Sequence, residues 1–314
     1  MTTHLTDRRS FLGASAALFP LSGAMAAPDR EPPKVAAIFT EFTYRSHAHV
    51  FMENFLEPYL FNGKMTEPGV RVVSFYCDQF PAGDMARGVG KDYQIPLFAT
   101  IDGALCLGGK ELAVDAVLSI AEQGNYPVNA KGVREYPRKR FFDEIVAVFR
   151  RSGRVVPVFN DKHFSYRWDW AKEMYDTAAT MKFPLMAGSS VPLAQRRPPM
   201  EIPPQATITE AVSIHSGGFE SYDFHALEVL QSVVEARAGG ETGVDRVQFL
   251  GGDALWQAAD DGLWSPKLAD AAMAAELGPG KSTLRDLVTI PPFNRGAPFG
   301  ILIHYRDGLK GLSL

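Results

Sequence analysis

The chain has 314 residues, 46% of them hydrophobic and 22% charged, with a formal net charge of −4. That composition excludes a disordered chain, and a net negative charge excludes a general basic field for nucleic acid. Two cysteines cannot make a disulfide scaffold, and the length fits one large domain or two ordinary ones.

The first residues have the order of an export signal. Arg8 and Arg9 follow Asp7 and precede Ser10, Phe11 and Leu12. An Ala-rich, weakly hydrophobic stretch from Gly13 to Gly23 comes next, too short to span a bilayer, and then Ala24-Met25-Ala26. A charged start, a short apolar run and small residues at a cleavage position define a signal peptide. The arginine pair makes it similar to a twin-arginine (Tat) signal. The expectation is cleavage after about Ala26, use of the Tat translocase, and a periplasmic or extracellular mature protein. Residues 27–33 read as a linker. Cys77 and Cys106 are expected to sit singly in apolar elements.

From Val35 onward strands and helices alternate. Val35–Phe39 is an apolar run of the kind a buried parallel strand needs. His47 to Phe61 has Val50, Phe51, Phe55 and Leu56 at helical spacing, which predicts one helix. Val72–Cys77 predicts a strand ending at Asp78, followed by a helix around Asp84 to Tyr93. Asp115–Ile120 predicts a strand ending at Glu122. The remaining units are a helix over Arg138–Arg151, a strand over Arg154–Phe159, a helix over Trp168–Met181 and a strand over Pro184–Ala187. Repeated β-α-β units predict an α/β fold with a parallel sheet covered by helices on both faces. Ligands bind at the C-terminal strand ends of such sheets. That singles out Thr40, Glu41, Asp78, Glu122, Asp161, Lys162, His163, Ser189 and Ser190.

After Pro192 a Pro-rich crossing leads to a second, α+β region. It is predicted to hold a strand at Ala211–Ile214, a helix at Ser221–Ala238, a strand at Val244–Phe249, a helix at Pro266–Leu277 and a hairpin turning at Asp307-Gly308. Its sheet is expected to be mixed or antiparallel.

This order of parts resembles the Gfo/Idh/MocA family of sugar and polyol oxidoreductases, from about Lys34 to Leu314. The most telling stretch runs from Val72 to Ser190. It includes Gln94-Ile95-Pro96, Asp161-Lys162-His163 where the family has Glu-Lys-Pro, and Pro184-Leu185-Met186-Ala187-Gly188. In the second region Ser221, His225 and Glu228 stand where the family often carries Asp-x-x-x-His and a following acid. The resemblance implies a Rossmann-like doubly wound domain over 34–192 and a smaller α+β domain with an open sheet over 193–314. It implies further sheet beyond Leu314, so this is a compact or truncated member. It also implies association into a homo-oligomer through the second sheet, a small sugar-like substrate, and NAD(P) as cofactor. Lys162 and His225 are carried over as the proton-transfer pair, with His163 grouped beside them as catalytic. Asp78, Arg45, Ser46 and Glu122 are the candidate cofactor-binding residues.

The chain departs from the family in its first turn. Thr40 to Val50 contains no glycine, although a pyrophosphate needs close backbone approach at a helix N-terminus. Two further readings therefore stand. One is a metal-dependent sugar hydrolase or lyase, with a divalent metal held by His47, Glu122, His163 and His225. The other is a non-catalytic periplasmic binding protein. Tyr126, Phe164, Tyr166, Trp168 and Trp170 are candidates for a sugar-stacking surface, against which Trp168, Trp170 and Tyr175 read first as helix packing. The basic run Arg134–Arg140 reads first as a solvated helix start.

Overall fold

The computed structural model describes residues 31–203, 205–217, 219–278, 283–289 and 296–314. The expected export signal lies outside the described residues. The elements from Pro33 onward form one unit. They begin with β1 (Lys34–Phe39), α1 (His47–Leu56), β2 (Tyr59–Phe61), β3 (Lys64–Thr66), β4 (Arg71–Cys77), α2 (Ala86–Asp92), β5 (Leu97–Phe98) and α3 (Ile101–Cys106). Next come β6 (Ala116–Ile120), α4 (Arg138–Ser152), β7 (Val158–Asp161), α5 (Trp168–Met181) and β8 (Leu185–Gly188). The chain continues with β9 (Glu210–Ser213), α6 (Phe219–Val234), β10 (Val244–Gly251), α7 (Asp253–Asp260), α8 (Pro266–Leu277), α9 (Leu284–Leu287), β11 (Phe299–Tyr305) and β12 (Lys310–Ser313).

Six strands form a parallel sheet in the order β5-β4-β1-β6-β7-β8. Counted along this sheet alone, the order is third, second, first, fourth, fifth, sixth. That is the doubly wound Rossmann-like arrangement, and its direction of winding reverses between β1 and β6. Side chains alternate across the strands, so one strand feeds two cores. Ala36 and Ile38 of β1 pack with Ile101, Leu105, Phe141, Ile145, Phe149 and Met174 of α3, α4 and α5. Val35, Ala37 and Phe39 pack on the other face with Ala48, Met52 and Ala86 of α1 and α2. Helix α4 follows its apolar spacing through Phe142, Ile145, Val146 and Phe149 and stops at Gly153, whose φ of 59° is left-handed.

Four strands form the mixed sheet, in the order β10-β11-β12-β9, with β12 and β9 parallel and the other pairs antiparallel. Adjacent residues of β11 again serve opposite faces. Leu302 packs with Leu255, Trp264 and Leu312, and Ile303 packs with Leu230 and Val234 of α6.

The expected helix from His47 to Phe61 ends at Leu56, before Pro58. Tyr59–Phe61 instead pairs with Lys64–Thr66 in a small hairpin. Its turn, Asn62-Gly63, has φ of 48° and 76°, as a two-residue hairpin of the primed type requires. Helices α3, α7 and α9 were not read from the sequence. Cys77 and Cys106 are both free and buried, as expected; burial pushes the Cys77 thiol up to about 12.

Phe141 is fully buried and meets Tyr76 edge-on, with ring centroids 5.7 Å apart. Phe141→Ala should lower unfolding free energy by about 3–5 kcal/mol through lost burial and the cavity left behind. Urea denaturation checks this, and a loss below about 1 kcal/mol would show that the site collapses freely.

Candidate functional site

The polar residues expected at the strand ends come together as two linked clusters. The first centres on Glu122, just beyond β6. Its carbonyl accepts from Thr40 Oγ1 at 2.5 Å, which ties the ends of β1 and β6. One carboxylate oxygen pairs with the Arg138 guanidinium and the other accepts from Lys162 Nζ at 3.3 Å. Arg138 opens α4 and is only 1% exposed. Its Nη1 also lies 3.4 Å from His163 Nε2. Beside this cluster, His47 Nδ1 meets the buried Asp161 carboxylate at 2.6 Å.

Lys162 is held by backbone geometry as well as by charge. Its φ is 64°, an uncommon conformation for a non-glycine residue that persists only when the surroundings enforce it. The Lys162 N–H donates to the Gly188 carbonyl at 3.0 Å. Asn160, 2% exposed, places its Nδ2 within 3.3 Å of the carbonyls of Asp161, Lys162 and His163. Asn160 is therefore a positioning residue for the whole Asp161-Lys162-His163 corner. Asn160 was not among the residues singled out from the sequence.

The second cluster is built on Glu228 of α6. Ser189, which follows β8, donates its backbone N–H to Oε1 at 2.7 Å and its hydroxyl to Oε2 at 2.6 Å. His225 Nδ1 lies 3.0 Å from the same Oε2. With Nδ1–H donated to a carboxylate, the neutral imidazole has Nε2 as its acceptor nitrogen. The two clusters approach through Phe224, whose ring centroid is 5.3 Å from that of His163. Lys162 and His225 thus lie on neighbouring elements, joined through Gly188 and Ser189. The side chain of Ser221 lies outside the described residues.

His163 differs from what its grouping with Lys162 and His225 implied. Burial, with the charges of Arg138 and Lys162 beside it, holds its pKa down at about 3. It is a neutral imidazole near neutral pH, placed to accept from Arg138.

The metal set does not assemble. Among the described residues no group of three or more His, Cys, Asp or Glu is arranged to hold a metal ion. Glu122 is engaged by two cations, His47 by Asp161, and His225 by Glu228. Each expected ligand already has a protein partner, and the Arg138 and Lys162 cations beside Glu122 and His163 oppose a third positive charge.

Of the candidate cofactor residues, Ser46, Asp78 and Glu122 have their polar groups engaged within the chain, while Arg45 is exposed. Ser46 caps α1, its Oγ accepting from the N–H groups of Thr43 and His49. The His47 N–H donates to Gln123 Oε1 at 2.8 Å. Arg45 is exposed and lies over the Tyr44 ring. Asp78 directly follows β4 and accepts from the Tyr76 hydroxyl at 2.5 Å, the Tyr126 hydroxyl at 2.6 Å and Arg140 at 2.6 Å. Burial would raise its pKa, but these three hydrogen bonds hold it below the ordinary value. Burial and Asp78 push the Tyr76 hydroxyl up to about 12, so it stays a donor. Phe42 does not face a ligand; it lies in the core, edge-on to Phe39. The residues present do not fit a dinucleotide held in the usual way. The pyrophosphate position at α1 and the ribose-binding acid are both satisfied from within the chain.

Two surface expectations also change. Trp168 is 80% exposed and Tyr175 is exposed, so neither is helix packing. Within the basic run Arg138 is buried on Glu122, whereas Arg140 is exposed and pairs with Asp78, and Lys139 pairs with Asp143 and Glu173.

No protein-family model matches the chain, and no curated protein matches it. Solved structures similar to it include GenD2 from gentamicin A biosynthesis in complex with NAD, at 13% identity and a TM-score of 0.48. That match covers 95% of this chain and 68% of the other. UDP-N-acetylglucosamine 3-dehydrogenase from Acidithiobacillus ferrooxidans is 12% identical over 90% of this chain and 68% of its own, with a TM-score of 0.47. Myo-inositol 2-dehydrogenase from Lactobacillus plantarum is 10% identical over 90% and 69%, with a TM-score of 0.46. For another dehydrogenase structure the chain spans only 59% of its length. These are likenesses of fold.

The low pKa of His163 has a direct consequence for stability. Between about pH 6.5 and 3 the unfolded chain binds a proton at this residue that the folded chain does not, so stability falls as pH drops below about 6.5. From pH 7 to 5 the wild type should lose roughly 2 kcal/mol more than His163→Gln, by paired denaturant titrations. Equal losses in the two proteins would show that His163 does not titrate this way.

Proposed function

We propose that this is a Gfo/Idh/MocA-like protein that acts on a sugar or polyol at the C-terminal ends of the parallel strands. Lys162 and His225 are its acid/base pair, in oxidoreduction or a related proton transfer at a sugar carbon. The observation that carries this reading is the Glu228 carboxylate. It fixes the His225 tautomer through Nδ1 and so presents Nε2 as a proton acceptor, as an oriented general base requires. Lys162 supplies the opposite need. Its ammonium, anchored on Glu122, can donate to a substrate hydroxyl or carbonyl oxygen as negative charge develops there. Glu228 touches no substrate in this scheme and is a positioning residue.

The pair should be separable from the fold. Lys162→Met and His225→Gln should each lower kcat about 10²–10⁴-fold with little change in thermal midpoint, in turnover assays over a panel of sugars and polyols. Glu228→Gln should lower kcat with little change in KM, as loss of the His225 orientation requires. Full turnover in both single variants removes the acid/base assignment. Tight sugar binding without turnover, unchanged in the double variant, favours the non-catalytic binding protein.

We also propose self-association through the mixed sheet. Val247 and Phe249 of β10 are exposed, Phe249 by 60%, and Phe249 stacks on Phe299 along the same face. Apolar side chains gathered on one sheet face favour a covering surface. Phe249→Lys should turn an oligomer into a monomer in light scattering; a monomeric wild type removes the proposal.

A further inference from the structure

The segment Glu122–Tyr126 joins β6 to α4 across the point where the sheet reverses its winding. In open α/β sheets that crevice is where a dinucleotide lies, with its pyrophosphate at the first helix N-terminus and a ribose on the acid ending the second strand. Here successive residues of one loop reach those positions. The Glu122 carbonyl accepts from Thr40 at the end of β1. The Gln123 amide oxygen takes the His47 N–H of α1, a donor that a phosphate oxygen would otherwise use. The Asn125 N–H donates to Gln79 Oε1, and Gln79 Nε2 donates back to the Asn125 carbonyl. The Tyr126 hydroxyl donates to Asp78, as a ribose hydroxyl would.

The loop is constructed for this position. Gln123 has φ of 69° and Gly124 a φ of 102°, two consecutive residues in a region that L side chains avoid. A Cβ on Gly124 would come within 2.8 Å of the Tyr126 ring and 3.2 Å of Gln79 Oε1. Glycine is therefore needed there for Tyr126 to reach Asp78 while Gln79 holds Asn125.

We propose that residues 122–126 close the dinucleotide crevice from within, so that the chain binds neither NAD(H) nor NADP(H). In place of the cofactor, an amide oxygen satisfies the helix terminus and a phenol satisfies the ribose-binding acid. Resting on the Lys162/His225 reading, the reaction is then redox-neutral. His225 Nε2 removes a proton from the carbon beside a carbonyl, and the C–H electron pair passes into an enediolate whose oxygen takes a proton from Lys162. The proton on His225 returns to the former carbonyl carbon as the neighbouring hydroxyl gives its proton to the Lys162 amine, so a carbonyl forms at the adjacent carbon and both residues end as they began. No hydride acceptor is consumed.

The test uses the full chain with about 5 mM NAD+, NADH, NADP+ or NADPH, followed by thermal shift and residue-resolved hydrogen exchange. The expected result is an unchanged midpoint and unchanged exchange at residues 40–47 and 122–126. In Gln123→Ala/Tyr126→Phe, which touches neither Lys162 nor His225, the His47 amide should exchange about tenfold faster. Nucleotide binding below about 100 μM by the wild type overturns the proposal. So does unchanged His47 exchange in the double variant. These readouts do not involve turnover, so a failed acid/base assignment shows in the Lys162 and His225 variants and leaves this result standing.

Discussion

The winding of the parallel sheet reverses between β1 and β6, and Glu122 stands at that seam. Its carbonyl ties the two strand ends together through Thr40, and its carboxylate gathers Arg138 from α4 and Lys162 from β7. One residue thus connects the first strand, the fourth, the following helix and the proposed acid. A carboxylate so placed cannot be replaced by an apolar side chain without taking from the buried Arg138 its carboxylate partner. Removing one member of a buried pair costs about 3–5 kcal/mol, mostly as the desolvated charge left behind. Buried ion pairs in general add little net stability over apolar pairs of similar volume. What this one provides is a fixed position for Lys162.

That constraint also sets the charge state of His163. The guanidinium that neutralises Glu122 also faces His163 Nε2, and together with burial it keeps the imidazole uncharged. Two histidines near one site therefore have different roles set by their neighbours. His163 sees cations and stays neutral. His225 sees a carboxylate, which orients it and leaves Nε2 as its acceptor nitrogen. The separation of roles arises from charge placement, as it does wherever one site needs both a fixed dipole and a titrating base.

Much of the fold was legible because strands and helices announce themselves by period. Helix α5 begins and ends at Trp168 and Met181, where its spacing placed it, and β1, β4, β6 and β8 lie within a residue or two of their apolar runs. The hairpin at 59–66 was hidden because Leu56, Phe61 and their neighbours extend the apolar pattern of α1; Pro58 and Asn62-Gly63 were the local signals that outweighed it. Lys162, His225 and Glu228 were found through resemblance and strand-end position. Arg138 was misread because a basic run looks solvated until a buried partner such as Glu122 is brought to it by the fold. Gln123 and Tyr126 carried no motif at all. Their roles depend on a loop conformation fixed by Gly124 and on contacts with residues 48 and more positions away, which no local pattern encodes.

The last constraint lies between the two sheets. Lys162 belongs to the end of the parallel sheet and His225 to a helix that packs on the mixed one. Their spacing is therefore not set within either sheet. It is set by Ser189, whose N–H and hydroxyl both bind Glu228, three residues from His225 on the same helix face. Two hydrogen bonds to one carboxylate fix both distance and orientation, because each oxygen is held separately. Ser189 directly follows Gly188, which accepts from the Lys162 backbone. A change in the angle between the sheets would have to break this short path before it could separate acid from base. The geometry of the proposed pair is carried by five consecutive links, from Glu122 through Lys162, Gly188, Ser189 and Glu228 to His225, and each is a hydrogen bond or a peptide bond of known partners.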